Sequence, residues 1–275
     1  MRSLPAPLKT IEVPRHFAVS ALGERQQCFA KSAYRPHGSS VGWAPLPSGP
    51  WAAKGTLAHR VLEAWTKSGA VTDPASVFAQ QFEQLRTELE SDPAHSHFAA
   101  LPDVLGRAEW NSFRAWVLDR CADAVRVLPP TSVASRGKVT TGRSLTGVEV
   151  SLSSDSLRLR GRADRIRRTS RNRYEIRDYK TGTVVDDNDE VTADTGLQLE
   201  AYGLMLSEAD PTAEIALVVD VGREYAVVFD TAAQEIARRK IGAITTRFPA
   251  AGEQAMVDVA VPGRDCLGCR IRQPQ

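Results

Sequence analysis

The sequence predicts an α/β protein whose first half is helical and whose second half carries a β-sheet. Two observations lead to this prediction. Apolar residues recur at helical spacing before residue 130, whereas within 146–182 they alternate with polar ones, as in half-buried strands. With 275 residues, of which 42% are hydrophobic and 25% charged, the chain can bury a sizeable core and is neither a fibre nor a disordered protein.

The first half is predicted to contain a short helix followed by three long ones. The short helix ends before Pro36, where a loop rich in Gly, Pro and Ser begins. The second long helix starts at Asp73, a suitable N-cap, with Pro74 at the first helical position, and the third is stopped by Pro129 and Pro130. The predicted long helices cover residues 51–69, 73–91 and 105–130.

The second half is predicted to begin with a meander of three strands. Polar turns at 153–156 and 169–172 separate the three extended segments. A helix, two further strands and a last helix follow, after which the chain ends in a cysteine-containing tail. These later segments are 195–210, 213–222, 223–230 and 231–248.

Charge is distributed unevenly along the chain. The formal net charge is only +2, yet ten Lys or Arg face three Asp or Glu between Arg158 and Lys180. Such a basic stretch suits a polyanion, although a solvated strand face is the common alternative. The sequence shows no apolar run of about 18 residues and no signal-peptide pattern, so we expect a cytoplasmic protein without membrane association.

Asp178 and Lys180 place two ionisable side chains at the end of the third predicted strand. Both share one face with Ile176, because side chains alternate along a strand. Alone, the pair is most simply a surface salt bridge. Strand pairing can, however, bring Asp164 of the preceding strand beside Asp178. Two close carboxylates need a cation between them, and oxygen ligands suit Mg²⁺ or Mn²⁺, which could assist attack on a phosphodiester.

These motifs resemble the PD-(D/E)XK nuclease superfamily, and within it the RecB-like and Cas4-like branch. The resemblance is carried by "GRADRI" around Asp164, "YEIRDYKTG" around Asp178 and Lys180, and the downstream helix motif "QLEAY". It implies that Asp164 and Asp178 bind metal and that Lys180 is the catalytic lysine. It also implies that Tyr179 binds metal through its backbone carbonyl.

Two helices extend the resemblance. The segment "GTLAHRVLE", residues 55–63, matches a G-x-x-x-H-x-x-L-E helix whose histidine completes the metal site in this branch. The resemblance therefore implies that His59 binds metal, whereas its position opposite an apolar stripe leaves a solvated surface histidine as the alternative. Gln198 and Tyr202 lie one turn apart on one helix face, and the resemblance implies a catalytic, substrate-positioning role for both.

The resemblance covers roughly residues 28–269 and implies a restriction-endonuclease-like α/β (α+β) fold, with a mixed central sheet flanked by helices. We expect one nuclease domain over 1–275, with a mostly helical part at 1–130, a nuclease core at 145–250 and a cysteine-containing tail at 262–275. The implied activity is that of a Mg²⁺- or Mn²⁺-dependent deoxyribonuclease, an exonuclease or single-strand nuclease of DNA repair, recombination or CRISPR adaptation.

A second hypothesis is a DNA-end-binding adaptor with a nuclease-like fold that partners a helicase or a CRISPR integration complex. The sequence contains no Walker A motif, so we expect any helicase motor to be a partner protein. All positions of the catalytic motifs are occupied by the expected residue types, which favours the nuclease.

Further polar residues leave two interpretations open. Glu149 matches an acid that the branch often places before G-x-x-D, so it either borders the metal site or faces solvent. A row of arginines alternates with small or apolar residues, as on a strand with one solvated face, and could instead track phosphates. These are Arg160, Arg162, Arg165 and Arg167.

Three of the four cysteines match positions that bind a 4Fe-4S cluster in many members of the branch. They are Cys28 near the N-terminus and the C-x-x-C pair Cys266 and Cys269, while the usual fourth cysteine is not found. A cluster with another fourth ligand, a degenerate remnant and a zinc site remain open. Cys121 lies on an apolar helix face, where we expect a core thiol.

Overall fold

The computed structural model describes residues 15–23, 44–45, 49–93, 95–125, 145–251 and 271–272. Near the N-terminus it contains strand β1 (Phe17–Ala18), a 3₁₀ turn (Val19–Ala21) and strand β2 (Ala44–Pro45). The helical part follows with α1 (Pro50–Lys67), α2 (Pro74–Ser91), α3 (Leu101–Leu105) and α4 (Arg107–Val125), and a 3₁₀ turn (Ser96–Phe98) precedes α3. No helix within these ranges is long and apolar enough to span a membrane.

Local sequence explains where the helices start. Pro50 and Pro74 occupy the first turns of α1 and α2, where a missing N–H costs nothing. The side chain of Asp73 accepts a hydrogen bond from the Ser76 N–H at 3.0 Å and caps α2, as predicted. The three long helices of the first half are therefore confirmed within their described bounds, whereas the segment predicted to be helical before Pro36 lies largely outside the described residues.

The second half forms the main sheet. Its elements are β3 (Gly147–Ser154), β4 (Leu159–Ser170), β5 (Arg173–Tyr179), α5 (Ala193–Ala209), β6 (Glu214–Asp220), β7 (Glu224–Val227) and α6 (Thr231–Ala251). A short strand, β8 (Ile271–Arg272), pairs with β2 in a separate antiparallel ribbon. The predicted order of strands and helices in this half is confirmed.

The main sheet has six strands among the described residues and is mixed. Its order is β1-β4-β5-β6-β7, and β3 pairs with β4. The predicted meander is antiparallel throughout, whereas β6 runs parallel to β5 after the α5 crossover. β1 pairs in parallel with β4 at Leu159 and Arg160. A strand of two residues is too short to be predicted from the sequence pattern.

Two apolar clusters lie on either side of this sheet. One joins α5 and α6 to sheet residues that include Ile166, Ile176 and Leu217. The other joins α1, α2 and α4, and it includes Tyr179 from the end of β5. Cys121 lies in the second cluster as a buried free thiol, as expected, and burial raises its pKa to about 12.

Candidate active site

The register of the sheet brings the two predicted aspartates together. Arg165 pairs with Arg177 across β4 and β5, so Asp164 and Asp178 occupy the next position along this antiparallel pair. Both are buried, with relative exposures of 7% and 2%. The Tyr179 N–H donates a hydrogen bond of 2.7 Å to Asp164 Oδ2, which fixes this carboxylate against the end of β5.

Lys180 lies directly after β5 and contacts Asp178. Its Nζ is 3.0 Å from Asp178 Oδ2, and it donates a hydrogen bond of 3.1 Å to Gln198 Oε1 on α5. The Gln198 amide in turn donates to Asp178 Oδ1 at 3.4 Å. The simple surface salt bridge is excluded, because Asp178 is almost fully buried.

His59 reaches the same place from α1. Its Nδ1 lies 3.2 Å from Glu149 Oε1 and 3.5 Å from Asp164 Oδ1, and 32% of its side chain is exposed. Gly55, one turn earlier, lets α1 approach the turn after Lys180, since a Cβ there would lie 3.3 Å from Thr181 Oγ1. His59 is therefore paired with carboxylates, unlike a solvated surface histidine.

Glu149 completes an acidic row across β3, β4 and β5. Its side chain is only 6% exposed, so the solvent-facing alternative is wrong. Its backbone adopts φ 53°, a left-handed conformation that is uncommon outside glycine, and the pairing of β3 with β4 skips this residue. One ligand atom from each of His59, Glu149 and Asp164 lies within 4.8 Å of the others. The register of β3 and β4 places Glu149 opposite Asp164, since Val148 pairs with Arg165 and Val150 with Ala163, and this register cannot be read from the sequence alone.

Burial and like charges shift the protonation of the acids. Burial raises the pKa of Asp178 to about 7, and the Asp164 charge adds to this shift while Lys180 opposes it. The pKa of Asp164 is also raised, chiefly by burial, against the charges of His59 and Lys180. Burial works against protonated His59, but its contact with Glu149 and the nearby carboxylates outweigh this effect and raise its pKa to about 9. Burial is the largest cause of both aspartate shifts and the neighbouring carboxylates add to it, so a cation bound here would stabilise the ionised forms.

The donor set fits a hard divalent cation. Glu149 and Asp164 offer carboxylate oxygens, which Mg²⁺ and Mn²⁺ prefer, and His59 adds an imidazole nitrogen that Mn²⁺ accepts. Asp178 Oδ2 is buried and accepts no well-directed hydrogen bond within the described part of the chain, although Lys180 Nζ lies nearby. A buried carboxylate oxygen left in this state is a suitable ligand.

Tyr202 lies beneath the site. It is 3% exposed, and its hydroxyl donates a hydrogen bond of 2.9 Å to the Arg162 carbonyl on β4. Its ring packs against Gly161, where a Cβ would come within 2.7 Å of Tyr202 Cε1. The Q-x-x-x-Y pair thus contacts two strands, with Gln198 at the end of β5 and Tyr202 at the middle of β4. Cys28, Cys266 and Cys269 lie outside the described residues.

Comparison with known proteins identifies the family. The family model of the PD-(D/E)XK nuclease superfamily matches residues 16–273, nearly the whole chain. No curated protein sequence matches significantly. The match and the mixed sheet flanked by helices together confirm the predicted restriction-endonuclease-like fold. The superfamily consists of metal-dependent nucleases, and an acidic cluster that could hold the metal is present. The chain belongs to the PD-(D/E)XK nuclease superfamily.

Proposed function

We propose that the protein is a Mg²⁺- or Mn²⁺-dependent deoxyribonuclease of the RecB-like and Cas4-like branch, acting on DNA ends or single strands as one nuclease domain. The convergence of His59, Asp164, Asp178 and Lys180 at one end of β5 carries this proposal. These residues come from α1, β4 and the end of β5, yet they are linked by contacts of 3.0 to 3.5 Å and by the register of the sheet. A structural role alone does not require a histidine, a lysine and several carboxylates to be gathered in this way.

The proposed metal ligands are His59, Asp164, Asp178 and the Tyr179 backbone carbonyl, and the geometry adds Glu149 to them. A divalent ion held there would activate water and neutralise charge that develops on the phosphodiester. The Tyr179 N–H keeps the Asp164 carboxylate in place. Because the acids lie on paired strands and His59 on a packed helix, their positions are set before any substrate arrives.

Lys180 and Gln198 form the second part of the proposed mechanism. Lys180 keeps 27% of its side chain exposed, so its ammonium group can meet a phosphate or the attacking water. The Gln198 carbonyl oxygen accepts a hydrogen bond from Nζ and thereby orients it. Tyr202 supports catalysis from below, since its hydroxyl holds the β4 backbone two residues before Asp164.

The DNA substrate is proposed from the family and from the exposed arginines of β4 and β5, since Arg165 and Arg177 of the basic stretch are buried. Contacts between arginines and phosphates release counterions, so DNA binding should weaken as salt rises. A role in repair, recombination or CRISPR adaptation, with a helicase or adaptation proteins as partners, is part of this proposal. The same site chemistry serves each of these pathways.

A cleavage assay tests the proposal. Single- and double-stranded DNA labelled at the 5′ or 3′ end is incubated with Mn²⁺, Mg²⁺ or EDTA, and wild type is compared with Asp178→Ala and Lys180→Ala. Asp155→Ala is the matched control, because Asp155 is 76% exposed in the turn after β3. We expect metal-dependent cleavage by wild type and the control and its loss in both site variants. DNA binding without cleavage by all four proteins would favour the adaptor instead.

Iron–sulfur ligation by Cys28, Cys266 and Cys269 is a separate part of the proposal, supported by the resemblance alone. The family match extends to residue 273 and so includes the C-x-x-C pair. After anaerobic purification, the protein should be brown, absorb at about 400 nm and contain bound iron. Colourless, iron-free protein would exclude the cluster and leave the nuclease proposal intact.

A further inference from the structure

Arg162 is the β4 arginine that contacts the acidic row. Its Nε lies 2.5 Å from Glu149 Oε2, and its Nη1 lies 3.7 Å from Glu63 Oε2 on α1. The side chain is nevertheless 51% exposed. By contrast, Arg165 is buried and donates to the Tyr179 hydroxyl, and Arg167 pairs with Glu175. Arg162 therefore combines contact with the site and contact with solvent.

The position of Arg162 conflicts with a metal on Glu149. Its guanidinium holds one oxygen of the carboxylate whose other oxygen faces His59. An arginine cannot lose its charge at any ordinary pH, so a nearby divalent cation would repel it. Metal binding would therefore weaken the contact between Arg162 and Glu149, and the 51% exposure of the Arg162 side chain gives it room to move away from the acidic row.

The freed guanidinium has an obvious new partner. A phosphodiester carries one negative charge on oxygens that a guanidinium fork can bind in pairs. The backbone of Arg162 stays fixed, because its carbonyl accepts the Tyr202 hydroxyl. A displaced side chain therefore remains at the mouth of the site, two residues from Asp164.

We propose that Arg162 is an exchange residue, which occupies Glu149 before the metal binds and binds a phosphate of the DNA afterwards. This inference rests on the proposed nuclease function and adds a residue that links metal loading to substrate binding. Metal binding and DNA binding should therefore favour each other, because the metal releases Arg162 from Glu149 and the DNA phosphate keeps it away. Loss of Arg162 should consequently help the metal and harm the DNA, a combination that a structural role does not produce.

Calorimetric titration of Mn²⁺ into metal-free protein without DNA measures the first effect. We expect Arg162→Gln to bind Mn²⁺ about 3- to 10-fold more tightly than wild type, because the competing cation is gone. Arg162→Lys, which keeps a charge without the planar fork, should lie between the two. Arg173→Gln is the matched control, since it breaks an exposed pair with Glu214 on the same sheet away from the site. Its Mn²⁺ affinity should equal that of wild type.

DNA affinity measures the second effect. Fluorescence anisotropy with single-stranded DNA and saturating Mn²⁺ is performed in a Lys180→Ala background, where cleavage is blocked. We expect Arg162→Gln to weaken binding about 10-fold and to lower the slope of log affinity against log salt by roughly 0.7. Unchanged or weaker Mn²⁺ binding by Arg162→Gln would overturn the exchange, and tighter Mn²⁺ binding with unchanged DNA affinity would overturn the transfer to phosphate. Failure of wild type to cleave DNA would instead refute the proposed function, and both binding measurements would still decide the role of Arg162.

Discussion

The central sheet buries charged side chains on both faces, and the two faces balance these charges differently. Asp164 and Asp178 share one face with Ile166 and Ile176, and their nearest cations are His59 and Lys180. We call the opposite side the arginine face. Its members are Arg120, Arg165, Arg167, Glu175, Arg177, Tyr179, Asp220 and Glu224.

On the arginine face each buried carboxylate meets guanidinium groups. Asp220 is fully buried, and its Oδ2 lies 3.1 Å from Arg177 Nη1 and 3.2 Å from Arg120 Nε, while its Oδ1 accepts the Gly222 N–H at 2.9 Å. On the site face, the pKa of Asp178 is raised to about 7 because its surroundings disfavour the charge. The comparison teaches that buried charge as such does not mark a functional site. A buried carboxylate whose charged form is disfavoured does, because a bound cation can stabilise that form.

The largest expected effect is on the site face. Asp164→Asn removes a negative charge and a predicted metal ligand but keeps the shape of the side chain and its acceptor for the Tyr179 N–H. We expect the cleavage rate to fall more than about 100-fold. Even removal of a residue that only hydrogen-bonds a metal ligand typically lowers metal affinity or activity about 10- to 100-fold. Mn²⁺ titration and cleavage rates check this, and unimpaired Mn²⁺ binding would place the metal elsewhere.

Substitutions on the arginine face should change the free energy of unfolding rather than the cleavage activity. Asp220→Ala leaves Arg177 and Arg120 without their shared carboxylate, so we expect the free energy of unfolding to fall by about 3 kcal/mol. Glu214→Ala breaks an exposed pair with Arg173 and should cost below about 0.5 kcal/mol. Denaturant titration measures both. Equal losses would contradict the difference in burial between these pairs.

The site face should also make the metal-free protein less stable as pH rises. The folded protein holds a proton on Asp178 up to about pH 7, against an ordinary pKa of 3.8, and on His59 up to about pH 9, against 6.5. The folded state therefore binds these protons more tightly than the unfolded state. The resulting stabilisation is complete at low pH, and it is lost between about pH 4 and 7 for Asp178 and between about pH 6.5 and 9 for His59.

Thermal unfolding in EDTA and in Mn²⁺ measures this dependence. From pH 6 to pH 9 we expect the metal-free protein to lose roughly 1–3 kcal/mol, and Mn²⁺ to stabilise more strongly at the higher pH. Asp178→Asn should flatten the lower part of the profile, since it removes one of the two titrating groups. Stability that rises with pH in EDTA would contradict the raised pKa values of Asp178 and His59.

A small expected effect, confined to stability, tests the link between the two faces. On the site face, the backbone N–H of Tyr179 donates a hydrogen bond to Asp164. On the arginine face, the Tyr179 hydroxyl accepts a hydrogen bond of 3.1 Å from Arg165. Tyr179→Phe removes only the second contact, so we expect a loss of about 1 kcal/mol in stability with an unchanged cleavage rate. A large loss of activity would show that the arginine face controls the site through this residue.

The sequence by itself determined the long helices of the first half and the order of the main strands and helices in the second. Alternating apolar residues predicted the meander, and Asp73 with Pro74 predicted the start of α2, because these signals act within a few residues. Local periodicity also predicted that Asp178 and Lys180 share a face with buried Ile176. The motif order predicted the superfamily, which the family match confirms. The specific branch and the roles of the site residues remain predictions.

Only the tertiary structure decided which charges meet. Glu149 joins His59 and Asp164 because the register of β3 and β4 places it opposite Asp164 and α1 packs close to the end of β5. The position of Arg162 on Glu149 depends on the register of β3 and β4, whereas the period of β4 alone places Arg165 and Arg167 on the other face. Sequence fixes the period of a strand, whereas pairing and helix packing over long separations decide which side chains come within a few ångströms of each other.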